Sequence, residues 1–327
     1  MPSLLITGAT GFIGRYLVDQ AIVEGWNVLA LVRPASSIPV HWQAYEALKV
    51  VRGDLRSLGP WVENLRDVDS VVHLAAATSG DLAERVATSI LATENLLQSL
   101  DLSRVKSFVH VSSFAVYDYS DHASGSRISC QSALEKTPWR DEYTATKVFQ
   151  EQLARSFSTQ HSLPMAIARP GFVYGPEHDW NGGAALQIGK SIRLVFAPRA
   201  AFPVSFVKNT ARSLLKLISL AAVPATTFNV FDSPVVSYWG FASAAAKVSP
   251  TRTLIVPVPW FLIVSLGFAA KAVSYVFFSG KAKLPEVLDE RRRNARWRNF
   301  RYVENSSFTD AEYCDFDEGI RQTFAKH

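Results

Sequence analysis

The stretch from Ser3 to Gly14 constrains the fold more than any other part of this 327-residue chain. The apolar run Leu4-Leu5-Ile6 passes straight into Thr7-Gly8-Ala9-Thr10-Gly11-Phe12-Ile13-Gly14, with three glycines spaced three apart between a predicted strand and a predicted helix. Each glycine has its own reason to lack a side chain there. Gly8 permits the tight turn, Gly11 lets the backbone approach a pyrophosphate, and Gly14 lets the helix pack closely on the sheet. Free amides at the helix start, with the helix dipole behind them, then face the phosphates. Gly8, Thr10, Gly11, Phe12, Ile13 and Gly14 are accordingly expected to hold a dinucleotide.

More strands follow, as that reading requires. Ser3–Thr7, Asn27–Val32, Lys49–Val51, Ser70–Leu74, Lys106–Val111 and Pro164–Ala168 read as nearly continuous apolar strands, separated by helical patterns at Gly14–Glu24, Asp81–Leu100 and Asp141–His161. This alternation predicts an α/β fold with a doubly wound parallel sheet of Rossmann type, its strands covered on both faces. After Tyr174-Gly175-Pro176 the rhythm changes, with isolated strands expected at Thr227–Phe231 and Leu254–Val256 and helices at Val207–Leu220 and Ser237–Val248. The expected division is a nucleotide-binding domain over 1–175 and a smaller helix-rich substrate lobe over 176–327, interleaved with the sheet near the boundary. With 48% hydrophobic and 19% charged residues, the chain has ample core material and is not a disordered one. Cys130 and Cys314 match no metal or redox spacing and read as reduced structural thiols. His110, His122, His161 and His178 form no metal pattern, so no metal is expected.

The end of the second strand addresses the cofactor's ribose. NAD sites usually place Asp or Glu there, whereas this chain reads Leu31-Val32-Arg33-Pro34-Ala35-Ser36-Ser37. Arg33 can pair with a 2′-phosphate and Ser36 or Ser37 can add a hydroxyl. NADP(H) is therefore the preferred cofactor, with NAD(H) open as the alternative.

Tyr143 and Lys147 lie four apart at the start of a predicted helix and so share one face. A neighbouring ammonium and an oxidised nicotinamide are both expected to favour the phenolate and lower the tyrosine pKa from about 10. Ser113, two residues past the end of the fifth strand, is placed at the carboxyl edge of the sheet, where it can hydrogen-bond a reacting oxygen.

These residues, taken in order, resemble the extended short-chain dehydrogenase/reductases, the group containing sugar-nucleotide epimerases, dihydroflavonol reductases and 3β-hydroxysteroid dehydrogenases. The resemblance covers nearly the whole chain and rests on Thr7–Gly14, Gly53-Asp54-Leu55, His73-Leu74-Ala75-Ala76, Val111-Ser112-Ser113 with Tyr117, Tyr143 and Lys147 with Glu151, and Arg169-Pro170 with Tyr174-Gly175-Pro176. It implies Ser113, Tyr143 and Lys147 as the catalytic trio. It also implies Asp54 and Leu55 at the adenine, Ala75, Ala76 and Pro170 along the cofactor, and Lys147 at the nicotinamide ribose. Ser89 stands where the family usually has Asn.

Departures from the family narrow the chemistry. Phe114 and Ala115 replace the acid pair of sugar 4,6-dehydratases, and Phe172 replaces an Asn common in epimerases. The resulting expectation is an NADP(H)-dependent oxidoreductase acting on a ketone or secondary alcohol. Its substrate is expected to be lipophilic, of steroid, isoprenoid or flavonoid type, contacted by Ser113, Tyr143, Phe172 and His178. In layout the chain is closest to the 3β-hydroxysteroid dehydrogenase and dihydroflavonol reductase branch. The alternatives are a nucleotide-sugar reductase or epimerase, with Lys190, Arg193 or Arg199 on a diphosphate, and a non-catalytic NADP-sensing protein. The polar, turn-rich segment Asp118–Pro138 is expected to be a mobile loop over the pocket or a simple surface excursion.

The C-terminal third adds a second theme. Trp260–Phe278 is a 19-residue apolar run interrupted by Lys271 alone, marginal in length for a membrane span. It reads as a buried or membrane-surface helix. Between Lys281 and Arg301 eight basic residues face three acidic ones, which accounts for the whole formal net charge of +5. Such a cluster suits anionic lipid headgroups, a solvated helix face or a rim above an acidic substrate. No motif for nucleic acid accompanies it. The expected location is cytoplasmic, since the first residues show no basic leader or cleavage site. Peripheral membrane contact through 260–301 and a homodimer are both open from the sequence.

Overall fold

In the strand Ser3–Thr7, Leu4 and Ile6 enter one core while Leu5 enters another, and Asn27–Val32 repeats the pattern with Val28, Ala30 and Val32 opposed to Leu29 and Leu31. Side chains alternate across a strand, so a sheet apolar at every position must be covered on both faces. The computed structural model, which describes residues 2–120, 122–137, 139–178, 183–189, 191–250, 252–279, 282, 284–303 and 313–325, shows how this is done. Leu17 and Val18 of the helix Phe12–Val23, with Leu214 of the helix Val207–Lys216, cover one face. Leu96 and Leu97 of Ala92–Gln98, with Ala154 of Glu142–His161, cover the other.

Seven parallel strands lie in the spatial order Thr226–Val230, Met165–Pro170, Ser107–Val111, Ser70–His73, Ser3–Thr7, Asn27–Val32 and Leu48–Arg52. The chain leaves Ser3–Thr7 outward in one direction and later returns to build in the other. The crevice at the carboxyl ends of Ser3–Thr7 and Ser70–His73 is therefore the topological switch point, where ligands of such sheets bind.

The structure departs from the sequence expectation in three places. The strand expected to stand alone near residue 227 is the edge strand of the main sheet, Thr226–Val230, with Phe228 in register with Ala168. Together with Val207–Lys216, it carries the nucleotide-binding layer well past residue 175. The strand Leu254–Val258 is not isolated either, for it pairs with Ile192–Phe196 beside Leu186–Ile188. The segment around Asp118–Pro138 is pinned: Arg127–Ile128 pairs with Arg301–Tyr302, Arg298 donates to the His122 carbonyl at 2.8 Å, and Glu135 takes ion pairs from Arg140 and Arg291 at 2.6 and 3.1 Å. Part of the basic C-terminal run thus clamps that segment from a distant point in the chain. The lobe has an aromatic core of its own, with Tyr174, Phe202, Phe206, Tyr238 and Phe241 buried together.

Candidate active site

The glycine turn is built as its spacing requires. Gly8 has a φ of +66°, and a Cβ there would sit 3.0 Å from the Ala75 backbone nitrogen, so a side chain would push apart the two strand ends of the crevice. A Cβ on Gly14 would lie 2.2 Å from the Gly8 carbonyl oxygen. The helix Phe12–Val23 starts at Gly11 with no side-chain cap and no acid in its first turn. Its orphan amides remain to be satisfied from outside. They open on a cavity of about 620 Å³ lined by Gly8, Thr10, Gly11, Phe12, Ile13, Gly14, Arg33, Asp54, Leu55, Ala75 and Ala76, among others. The residues assigned to the cofactor from the sequence converge there, except that Pro170 and Lys147 are not among the lining residues and Ser36 lines an adjoining recess.

That recess is formed by Thr10, Arg33, Pro34, Ala35, Ser36, Ser37, Asp54 and Arg56. Arg52 staples its rim, donating to the carbonyls of Pro34 at 2.6 Å and Ser36 at 3.1 Å. Arg56 chelates Asp54 with contacts of 2.6 and 3.0 Å, and this guanidinium holds the Asp54 carboxyl below the usual range. The recess therefore presents the guanidinium groups of Arg33 and Arg56 beside one carboxylate already neutralised.

The second half of the site stands on the helix Glu142–His161, whose start is capped by Asp141 accepting from the Thr144 amide at 2.7 Å. Tyr143 in the first turn lies beside Ser113, whose own oxygen accepts from the Ala115 amide at 3.1 Å. Burial is the largest influence on the Tyr143 phenol and raises its pKa, with partial relief from Ser113 and from the Arg85 cation. This differs from the expectation that Lys147 would lower it. The reason is geometric: the Lys147 ammonium donates to the Val111 carbonyl at 2.9 Å and to Gln150 Oε1 at 3.0 Å. Burial brings that ammonium down to about 8.

Behind Lys147 runs a buried polar chain. Gln150 Nε2 donates to Thr93 Oγ1 at 2.8 Å and to the Ala75 carbonyl at 3.1 Å. The His73 ring lies between Thr93 and Thr7, at 2.8 and 2.7 Å. Full burial lowers His73 to about 3, so it is neutral at physiological pH. The chain thus links the lysine to Thr7 and Ala75, the two ends of the switch-point crevice. Ser89 completes this wall: its hydroxyl accepts from the Ala77 amide at 3.0 Å, within a π-helical stretch Val86–Leu91. Deeper still, the fully buried Glu151 accepts from Ser112 at 2.7 Å, from Arg169 at 2.5 and 3.0 Å and from Arg155 at 3.0 Å. This anchors the Ser112-Ser113 turn to the helix that carries Tyr143.

Three of these residues escape the sequence reading. Gln150 is three residues beyond Lys147, a spacing that already puts both on one helix face. Arg56 follows Asp54 by two residues. Arg85, which donates to the carbonyls of Ala77, Thr78 and Gly80 at 3.0–3.3 Å, has no local signal at all. The substrate residues expected from the sequence are placed apart from one another. His178 stacks on Phe12 with ring centroids 4.0 Å apart and lines the dinucleotide cavity. Phe172 packs against Phe202 at 4.9 Å, with the Arg296 guanidinium over its ring. Arg199 lines a separate cavity with Trp239, Trp260, Trp297 and Arg298, and Lys190 lies outside the described residues.

The family described as NAD dependent epimerase/dehydratase matches residues 4–195. The chain belongs to the NAD-dependent epimerase/dehydratase family. Among similar curated proteins are the dTDP-glucose 4,6-dehydratase of Streptomyces antibioticus, 32% identical over 53% of this chain and 54% of that one, and the Sterol demethylase protein B of Methylococcus capsulatus, 30% identical over 58% and 55%. A third is the 4-hydroxy-2-methyl-3-oxo-4-farnesyl-3,4-dihydroquinoline-1-oxide ketoreductase of Stigmatella aurantiaca, 30% identical over 53% and 50%. The chain spans about half the length of each of these relatives, or less of others. The solved structure of MoeE5 in complex with UDP-glucuronic acid and NAD shares the fold, with a TM-score of 0.70 at 23% identity over 98% of this chain and 97% of that one. The epimerase/dehydratase family model thus covers the glycine turn, Ser113, Tyr143 and Lys147.

Proposed function

We propose that this family member is an NADP(H)-dependent oxidoreductase that interconverts a ketone and a secondary alcohol through Ser113, Tyr143 and Lys147, on a lipophilic substrate. The observation that carries the reading is the Tyr143 phenol, set beside Ser113 at the carboxyl edge of the sheet. It shares that edge with a cavity whose glycine turn leaves no room for side chains. The residues present fit a dinucleotide. Uncapped amides at Phe12–Gly14 suit the diphosphate, and Arg33 with Arg56 suits a 2′-phosphate in the adjoining recess. When bound, the nicotinamide supplies or accepts the hydride.

This chain's own residues handle the proton. In this reading the Tyr143 phenol donates its proton to the carbonyl oxygen in reduction and takes it back from the alcohol in oxidation. Ser113 hydrogen-bonds the same oxygen and fixes its position while charge develops on it. Lys147, which donates to Val111 and Gln150, would in this reading hold the nicotinamide ribose. Support for a lipophilic substrate comes from the ketoreductase and sterol relatives. A nucleotide sugar is the second reading, favoured by the dehydratase relative and by the two arginines, Arg199 and Arg298, in the tryptophan-lined cavity.

The test is NADPH and NADH oxidation across a panel of steroid, isoprenoid and nucleotide-sugar ketones. Tyr143→Phe should keep cofactor affinity and lower turnover by about two orders of magnitude or more. NADPH binding without turnover of any carbonyl would instead mark a sensor.

A further inference from the structure

The helix Trp260–Phe278 rules out one of the two roles its sequence allows, because only Ile263, Gly267 and Ser274 of its residues are buried. With the half-buried Trp260, Val264 and Ala270 they form a narrow seam. The rest of a helix with mean hydropathy 1.9 is exposed, including Phe261, Leu262, Leu266, Phe268 and Val273. It is not the core of the lobe. Exposed apolar surface of this extent marks an interaction site.

The shape of the last turns narrows what can cover it. Tyr275, Val276, Phe277 and Phe278 are 68%, 75%, 73% and 57% exposed. Consecutive residues of an α-helix point about 100° apart, so these four look out on all sides of the helix. A second protein surface covers one side, whereas a hydrocarbon phase covers every side. The charges agree. Lys271 stands 58% exposed one turn before this tip, 3.9 Å from the similarly exposed Glu290, and Lys281 and Lys283 follow it in the chain, whereas Arg291, Arg296 and Arg298 of the same basic run are held by Glu135, Glu286 and the His122 carbonyl. The midpoint of the helix sets the depth. At Gly267 it packs against the Arg293 guanidinium and the Leu288 carbonyl, polar groups that keep the first half with the protein body. From Lys271 to Phe278 the rise is about 10 Å, the depth of one headgroup and acyl boundary and about a third of a hydrocarbon core.

We propose that the last two turns of this helix, Ala272–Phe278, insert into one leaflet of an anionic bilayer, with Lys271 at the headgroup plane extending its ammonium to the lipid phosphates. The protein is then a monotopic peripheral one, held by an apolar tip and a cationic collar. This inference is independent of the catalytic reading and stands or falls without it.

Flotation of the full chain with vesicles tests it. On mixed phosphatidylglycerol and phosphatidylcholine vesicles the wild type should float with the lipid, at least tenfold better than on phosphatidylcholine alone, and high salt should reduce the difference. Phe277→Asp and Val276→Ser, at positions too exposed to disturb folding, should each lower lipid partition, the former at least tenfold. Lys271→Glu should weaken binding to anionic vesicles only. Three results would overturn the proposal. One is an absence of flotation on anionic vesicles at low salt. A second is retention in the bilayer after alkaline extraction, which marks a span. The third is a stable oligomer that Phe277→Asp dissolves without any change in lipid binding, which shows that another copy covers the tip.

Discussion

Replacing Gln150 with alanine removes one of two partners from a buried cation. Gln150 is fully buried, and its oxygen accepts from Lys147 Nζ at 3.0 Å; the Val111 carbonyl at 2.9 Å is the acceptor that stays. A hydrogen bond to a charged group is worth about 1.5–3 kcal/mol. One pKa unit corresponds to about 1.4 kcal/mol, so the loss lowers the ammonium by about one to two units. Lys147 already titrates at about 8, and Gln150→Ala should therefore leave it largely neutral just above neutrality. Gln150→Glu puts an anion in the same place and should move the value the other way. If the ammonium helps to hold the ribose, NADPH affinity falls as pH rises through the lysine pKa. The inflection in a plot of Kd against pH should move down in Gln150→Ala and up in Gln150→Glu, against a flat Lys147→Met baseline. Fluorescence titration of NADPH from neutral to alkaline pH measures it. A merely structural Gln150 would lower Tm in both variants without opposite shifts. An inflection unmoved in both would refute the reasoning.

Other outcomes follow from the same geometry. Arg33→Asp should weaken NADPH about ten- to a hundredfold relative to NADH, the scale of one or two charge-assisted hydrogen bonds. Arg56→Ala should do the same more weakly by freeing the Asp54 carboxylate, and an unchanged NADPH to NADH ratio in both would place the 2′-phosphate elsewhere. Glu151→Ala leaves Arg169 buried with its charge uncompensated, which costs about 3–5 kcal/mol. At about 2.1 cal/mol/K of unfolding entropy per residue, the 327-residue chain should lose roughly 4–7 °C in Tm by calorimetry. The Glu151 pKa is lowered in the fold, chiefly by Arg169 acting against burial. Its stabilisation is therefore complete above the ordinary glutamate range and lost as pH falls through the lower folded value. Acid melting should be steeper in the wild type than in Glu151→Ala.

The parts of this protein readable from local order are those whose physics is local. Strands covered on both faces, helices of period 3.6 and a glycine turn each leave a mark within about a dozen residues. Ser3–Thr7, Gly8–Gly14 and the Tyr143–Lys147 face are legible for that reason. Tertiary packing alone decided the rest. Thr226–Val230 joins the main sheet because its partner Met165–Pro170 lies some sixty residues back, a pairing no window contains. The Tyr143 phenol is raised and not lowered because burial outweighs its neighbours and Lys147 is drawn off to Val111 and Gln150. Trp260–Phe278 carries the composition of a core helix, yet the body of the protein offers it only a seam. Spacing along a chain records which face a residue occupies, whereas what that face meets depends on elements folded from elsewhere.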